Sequence, residues 1–384
     1  MPLNPNVLAI PPLAIWLYLF FARGNFWQVR EETAELQPLK RWPRVVAIVP
    51  ARNEAETIGR AITALAKQDY PGEFSTIVVD DHSDDGTADL ARKAADECNA
   101  SGRISIHLAS ELPPGWTGKV WAMNEGITAA AGRAPDYFWL TDADITHAPD
   151  TLRRLVCQAE TDSLDLASLM AYLRVKTFPE RLLIPAFLYF FLTVYPPSWI
   201  ADPESRTAAA AGGCILLRRS ALERVGGMPA VRSEVIEDCA LARAVKQSGG
   251  EIRLGLTRSS VSLRGYDRFA GIRDLIARVA FTQLRYSFLV LLGALAGLFV
   301  TYLLPWVLFF AFPGEAWLAV DTTIAMMAAT FVVTVKFYGL SWPWALTLPI
   351  AALFYGYATC VSAVRYWLGR GGQWKGRAQA PLKN

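Results

Sequence analysis

Between residues 287 and 368 the sequence is almost entirely apolar. Three stretches within it, 287–312, 317–335 and 344–364, are each long enough to cross a bilayer, which takes ~20 apolar residues. Three such runs in succession are a poor pattern for buried core helices, so C-terminal transmembrane helices are expected over 287–368. A shorter apolar run, 7–22, contains Pro11 and Pro12, and no Lys or Arg precedes it as in a signal peptide. Arg23, Arg30, Lys40, Arg41 and Arg44 follow it. Basic flanks stay in the cytoplasm, so 1–24 is expected to be a membrane anchor and the chain beyond it cytoplasmic. The basic tail 369–384 then poses a conflict. Three crossings would carry it outside, whereas Arg370, Lys375, Arg377 and Lys383, with no acidic residue, place it inside. Either one apolar segment does not fully cross or the tail breaks the rule.

The centre of the chain reads differently. Overall 53% of residues are hydrophobic and 19% charged, but 45–180 alternates apolar and charged runs as a water-soluble domain does. Val45 to Val49 is a buried strand pattern that Pro50 should end, and Asn53 can cap a helix carrying Ile58, Ile62 and Leu65 at helical spacing. Thr76 to Val79 repeats the strand pattern, followed by an acidic turn and a helix from Thr87. Ile104 to Leu108 and Tyr137 to Thr141 are further strands. Strands alternating with helices predict a parallel sheet covered on both faces, with ligands bound beyond the strands' carboxyl ends. Polar clusters stand at those ends: Asn53-Glu54, Asp80-Asp81 and Asp142-Ala143-Asp144.

Each cluster has a chemical and a bland reading. Asp142 and Asp144 can hold a hard divalent cation such as Mg²⁺ or Mn²⁺, or form a solvated acidic turn. Lys119, entering a helix, can meet a phosphate as a point charge, or be a surface lysine. Glu237-Asp238 opens a helix, where acidic residues often only compensate the dipole. The net charge of +3 gives no argument for nucleic acid. Five scattered Cys fit a reducing compartment, and three scattered His argue against a zinc site.

Taken together and in order, Pro50-Ala51-Arg52-Asn53-Glu54, Asp80-Asp81-x-Ser83-x-Asp85-Gly86-Thr87, Lys119 with Asn124, Asp142-Ala143-Asp144 and Glu237-Asp238 resemble family 2 glycosyltransferases over about residues 44–255. With Gly118-Lys119-Val120-Trp121-Ala122 and the membrane segments, the chain looks most like the bacterial hopene-associated members and, more distantly, ceramide glucosyltransferases. The resemblance implies a GT-A, Rossmann-like α/β domain over 40–265 and a nucleotide-sugar donor, usually a UDP-sugar. It implies that Pro50, Ala51, Arg52, Asn53, Glu54 and Asp81 hold the nucleobase and ribose. Lys119 would sit near the donor, with Asn124 supporting its loop. Asp142 and Asp144 would bind the diphosphate through the metal. Asp238, beside Glu237, would be the general base, and Gly212-Gly213-Cys214 an acceptor-side turn. It also implies a multi-pass protein of the bacterial inner membrane with its catalytic domain facing the cytoplasm. Where polymerising relatives carry Gln/Arg-x-x-Arg-Trp, this chain reads Thr282-Gln283-Leu284-Arg285-Tyr286. Arg285 is kept and can meet the diphosphate; the changed flanks argue against a polysaccharide-extruding synthase, the alternative reading. A non-enzymatic transport or scaffold protein would be expected to have lost these carboxylates.

One charge-free stretch, 182–200, lies between Asp144 and Asp238. A single crossing there would put carboxylates that must act on one sugar on opposite sides of the membrane, so it is expected not to span. Pro185, Pro196 and Pro197 should also interrupt it. Either it is a core helix, or 181–203 lies on the membrane as an apolar groove for a lipid acceptor. The surplus of aromatics, Phe187, Tyr189, Phe190, Phe191, Tyr195 and Trp199, favours the groove. Over 266–286, Ile272, Leu275, Ile276, Val279 and Gln283 follow helical spacing opposite Arg273, Asp274 and Arg278, which suits an interfacial amphipathic helix.

Overall fold

The computed structural model describes residues 4–31, 39–375 and 377–378. Helix α1 (Pro5–Phe21) comes first, capped by the Asn4 side chain. Strict alternation follows: β1 (Val45–Ala51), α2 (Ile58–Ala66), β2 (Phe74–Asp80), α3 (Thr87–Glu97), β3 (Ile104–Leu108), α4 (Gly118–Ala129) and β4 (Tyr137–Leu140). The order then loosens: β5 (Ile145–His147), α5 (Thr151–Thr161), β6 (Leu166–Tyr172), α6 (Phe178–Val194), α7 (Pro197–Ala201), β7 (Ile215–Arg218), α8 (Arg219–Arg224), α9 (Glu237–Gln247) and β8 (Ile252–Ser262). Next come α10 (Phe269–Ala277), α11 (Ala280–Gln283), α12 (Phe288–Leu298), α13 (Leu304–Ala311), α14 (Trp317–Phe337) and α15 (Leu348–Trp367). A small hairpin of β9 (Gln373–Trp374) and β10 (Arg377–Ala378) closes the described chain.

Two units divide these elements. One is helical: Met1–Arg30, Val175–Ser198 and Tyr266–Gly371. The other is α/β: Glu31–Arg174, Trp199–Gly265 and Gly372–Asn384. The expected domain 40–265 is therefore interrupted, because 175–198 belongs to the helical unit and the C-terminal hairpin belongs to the α/β unit.

In the α/β unit eight strands form one sheet in the order β3-β2-β1-β4-β7-β6-β8-β5. The four strands expected from sequence are all parallel neighbours. The rest of the sheet is mixed, which corrects the all-parallel expectation: β7 runs antiparallel to both β4 and β6, and β5 runs antiparallel to β8. Ile58, Ile62 and Leu65 of α2 and Ala91, Ala94 and Ala95 of α3 pack on Val45, Ala47, Val49 and Trp139. Burying each Ile or Leu there stabilises the unit by about 2 kcal/mol.

Pro50 does not end β1; it pairs in register with Val79. The Ile48 carbonyl accepts from Thr141 N, so Ile48 and, two residues on, Pro50 turn their backbone toward β4, whose pairing stops at Ile48. The missing N–H of Pro50 therefore breaks no ladder bond. Nor does Asn53 cap α2, which starts at Ile58; Asn53 takes a left-handed backbone (φ 51°) and its side chain accepts from Asp84 N.

In the helical unit three helices are long and apolar enough to cross a membrane: Phe288–Ala311, Trp317–Phe337 and Trp342–Trp367. The first is not a single α-helix. A π turn (Phe299–Leu303) separates α12 from α13, with Pro305 just after it. Such a turn releases backbone groups, and the indole of Trp16 on α1 donates to the Thr301 carbonyl at 2.8 Å. The 266–286 segment is also divided, into α10, which packs on α15, and the short α11.

Helix α6 corrects one expectation. It runs unbroken through Pro185, entered by a capping box of Thr177 and Glu180. Two of its aromatic residues, Tyr189 and Phe190, are consumed by packing on several sides. Tyr189 meets Phe26 and Phe331, its hydroxyl lies 2.8 Å from Thr330 Oγ1, and Phe190 meets Tyr302 and Tyr355. Those rings therefore give no reason to infer a groove. Phe187 and Phe191 stay half-exposed, Phe191 against Tyr195.

Candidate active site

The ends of β1 and β2 are stitched together by the acidic turn. Ser83 Oγ accepts from Asn53 N, Thr87 Oγ1 from Glu54 N, and Asp85 Oδ2 from Ala55 N. Asp85 also accepts from Thr87 N, the Asx turn that starts α3. The serine, aspartate and threonine of this motif thus fix the 53–55 loop. Asp81 is fully buried beyond β2; Arg52 Nη1 donates to its carbonyl and lies 3.6 Å from its Oδ2.

Lys119, one residue into α4, sits between two carboxylates. Its Nζ is 2.7 Å from Asp142 Oδ1, at the end of β4, and 2.7 Å from Glu237 Oε1, at the start of α9. Burial pushes the ammonium down, but Asp142 and Glu237 more than reverse this and hold it protonated, above its ordinary range. Asp238 adjoins the same group. It accepts from Gly212 N (2.8 Å) and Cys239 N (2.7 Å). A Cβ on Gly212 would lie 3.2 Å from Lys119 Nζ and 3.3 Å from Asp238 Oδ2, so the two charged groups converge on this glycine. Burial pushes the Asp238 carboxyl up to about 6, and Glu237 pushes the same way; Lys119 and the two amides restrain it.

A second charged chain runs alongside. Arg264 follows β8 and bridges Asp144 (Nε to Oδ2, 3.1 Å) and Glu54 (Nη2 to Oε1, 3.2 Å). Lys375, after β9, reaches Glu54 Oε1 at 3.0 Å and the Asn53 carbonyl at 2.8 Å. Burial raises Asp144 to about 6, with Asp142 and Glu54 adding to the rise and Arg264 and Lys119 opposing it. Among the described residues no three carboxylate, His or Cys side chains are gathered as a metal site; Asp142 and Asp144 offer two carboxylates, the donor type a hard dication takes.

Other expected residues fall elsewhere. Asn124 is five residues along α4 from Lys119, about 140° round the helix, and does not share its face. Gly213 and Cys214 support the site from below: the Gly213 carbonyl accepts from Thr141 Oγ1, and buried Cys214 accepts from the Trp139 indole. Phe187, Phe191 and Arg285 belong to the helical unit; Arg285 is exposed in the turn between α11 and α12 with φ 54°. There Tyr286 stacks on Tyr366 at 4.2 Å and accepts from Thr282 Oγ1, so the two altered positions of that motif are packing residues. Trp199 offers its carbonyl, with those of Ile200 and Thr207, to Lys246 of α9. His147 is bracketed by Thr141 and Ser260 hydroxyls, and burial lowers it to about 3, so it stays neutral.

Sequence reasoning missed Arg264, Lys246 and Lys375. Each lies outside the motifs, at a strand end, a helix end or the tail, and no local spacing marks it.

Residues 46–226 match the model described as Glycosyl transferase family 2. An N-acetylglucosaminyltransferase of Mesorhizobium japonicum is 24% identical over 379 residues, covering 86% of this chain and 82% of that protein. The succinoglycan biosynthesis protein ExoO of Rhizobium meliloti is 38% identical over 136 residues, 33% of this chain and 35% of its own length; this chain spans about a third of it. Among solved structures, the mannosyltransferase PcManGT from Pyrobaculum calidifontis, in complex with GDP-Man and Mn²⁺, gives a TM-score of 0.55 at 19% identity. That match covers 94% of this chain and 99% of that one. At such identity the likeness concerns the fold, which is of the GT-A type.

Proposed function

We infer, from the match of residues 46–226 to the family 2 glycosyltransferase model, that the protein moves a sugar from a nucleoside diphosphate onto a hydroxyl of a membrane lipid, with inversion. The observation that carries this is Lys119, whose one ammonium joins Asp142 to Glu237, with Asp238 adjoining it. Asp142 marks the leaving-group side and Asp238 the acceptor side, so one cation organises both.

The chemistry follows from the residues. A sugar leaving a diphosphate passes through an oxocarbenium-like state, and negative charge gathers on the departing oxygens. Lys119 is held cationic where that charge would develop. Asp142 and Asp144 would hold Mg²⁺ or Mn²⁺, which supplies further charge stabilisation when bound. Asp238 takes the acceptor's proton. A carboxyl near 6 is largely ionised at neutral pH yet more basic than an ordinary aspartate, as a general base requires. With one base and one leaving group on opposite sides of the sugar, displacement is single and in line.

The membrane lipid is proposed because the same chain carries three helices suited to a bilayer. The resemblance to hopene-associated members supports a polycyclic lipid such as a hopanoid, and a UDP-sugar as the donor. A second reading, extension of a glycan chain, is supported by the N-acetylglucosaminyltransferase that matches nearly end to end.

The test is nucleotide release by the purified, detergent-solubilised protein. UDP- and GDP-sugars are supplied with Mg²⁺ or Mn²⁺, with a hopanoid, a ceramide or an oligosaccharide as acceptor. Lipid-dependent release abolished by a chelator and by Asp238→Asn is expected. Release that follows the oligosaccharide, with products growing by more than one sugar, would overturn the lipid reading in favour of chain extension.

A further inference from the structure

We propose that Trp374 and Lys375 of the C-terminal hairpin are donor-binding residues, closing the nucleotide site from outside the family 2 domain. The proposal rests on the functional reading above. It starts from contacts within the α/β unit. Trp374 is buried, and a Cβ built on Gly118 would lie 3.0 and 3.2 Å from its Cε3 and Cζ3 atoms. The same Cβ would lie 3.5 Å from Asp81 Oδ2. The indole and the buried carboxylate therefore meet at one glycine, whose missing side chain leaves room for a flat ring. Lys375 is anchored beside it: its ammonium holds Glu54 and the Asn53 carbonyl, and its own carbonyl accepts from Arg52 Nε at 3.4 Å. Pairing of β9 with β10, Trp374 opposite Arg377, sets the direction of the strand that carries both.

These contacts fall in a sequence that fits the ligand class. An aromatic ring and Asp81 come first, then the Lys375 cation on Glu54, then Arg264 from Glu54 to Asp144. A nucleoside diphosphate has a matching order: a planar base joined through its ribose to an anionic diphosphate. An indole offers any base a stacking face, and an ammonium offers the diphosphate a point charge. Outside the hairpin itself, the residues that these two meet in the contacts above, Arg52, Asn53, Glu54 and Gly118, belong to or adjoin the expected donor set.

The experiment is a titration of full-length protein in detergent with UDP and GDP, each with Mn²⁺, and with the nucleosides alone. Trp374→Ala is expected to weaken nucleotide binding about ten-fold, the scale of one base–aromatic stack, and Trp374→Phe to restore most of it. Lys375→Ala should weaken the diphosphates several-fold and the nucleosides little, and should flatten the salt dependence of diphosphate binding. A thermal midpoint unchanged from wild type separates lost contact from lost fold. Unchanged affinity in both variants would overturn the proposal and make the hairpin a packing element. Tighter binding would overturn it too, making the hairpin a competitor that the donor displaces. In either case wild type still binds and the functional reading stands. Wild-type protein that binds no nucleotide would overturn both.

Discussion

The two units bury opposite things. The α/β unit draws charge inward: Asp81 is fully buried, Glu237 nearly so, and Lys119 lies between carboxylates. The helical unit turns large apolar side chains outward, Leu289 at 76% and Phe310 at 72% exposure, and buries the hydroxyl residues Thr323, Thr330 and Thr334. Water explains the first arrangement, because an enclosed charge cluster is unfavourable unless chemistry needs it. Lipid explains the second, because hydrocarbon accepts Leu and Phe but leaves a hydroxyl without a partner. Exposure therefore has no meaning apart from the solvent on the far side.

The largest effects should come from the charge cluster. Lys119→Met leaves Asp142 and Glu237 uncompensated, and turnover should fall by two orders of magnitude or more, on the scale of lost electrostatic stabilisation. Asp238→Asn should cost ~10²–10⁴ in kcat while donor binding, measured by titration, persists. Full loss of donor binding in Asp238→Asn would place that residue on the wrong side of the sugar.

Next is a direct contrast between the units. Leu108 and Leu353 are both 62% exposed. Leu108→Lys meets water and should move the thermal midpoint little. Leu353→Lys, well inside Trp342–Trp367, should hinder insertion by about 3 kcal/mol, read as a fall in membrane-integrated protein. Equal tolerance at both sites would mean that Leu353 does not face lipid.

The same contrast shows what was legible. Val45, Ile58, Ile62, Leu65 and Trp139 announce the first half of the sheet, because period-2 and period-3.6 patterns alternate there. Beyond β4 that alternation stops. Ile215–Arg218 is too short to declare a direction, and its antiparallel place depends on β4 and β6. In the site, Asp142, Lys119, Glu237 and Asp238 stand in motifs and do converge. Arg264 and Lys375 are brought in by tertiary structure alone. Lys375 also bears on the tail conflict. Its ammonium lies 3.0 Å from Glu54 Oε1, so Lys375 and the α/β unit are expected on one side of a membrane, with an even number of crossings between them. In sealed vesicles of a cysteine-free background, single cysteines at Ser110 and Gly372 should react with an impermeant thiol reagent from the same side. Labelling from opposite sides would break the Lys375–Glu54 contact.

A smaller effect is expected in pH. Asp238 must be ionised to accept a proton, so kcat/KM should rise as pH passes about 6 and level off above. Stability should run the other way. A carboxyl raised above its ordinary 3.8 favours the folded state fully below that value and loses the advantage as pH rises through about 6. Asp238→Asn should therefore raise the thermal midpoint at pH 8 and leave it unchanged at pH 4. A midpoint lowered at pH 8 would mean that the charged carboxylate is stabilised by its amides more than burial penalises it.

The smallest effect belongs to the helical unit's buried hydroxyls. Thr330 Oγ1 lies 2.8 Å from Tyr189 Oη and 3.1 Å from the Met327 carbonyl, so α14 and α6 share one polar contact inside an apolar unit. Hydrogen bonds between membrane helices contribute less than the absence of water suggests, about 0.6 kcal/mol on average, because the separated helices find other partners. Thr330 illustrates this: without Tyr189 it still bonds back to its own helix. Thr330→Val keeps the shape and should lower stability by under ~1 kcal/mol, whereas Tyr189→Phe strands no hydroxyl and should cost no more. A double-mutant cycle in detergent measures the coupling directly. A coupling of several kcal/mol would show that this unit is held by its buried polar contacts rather than by its packing.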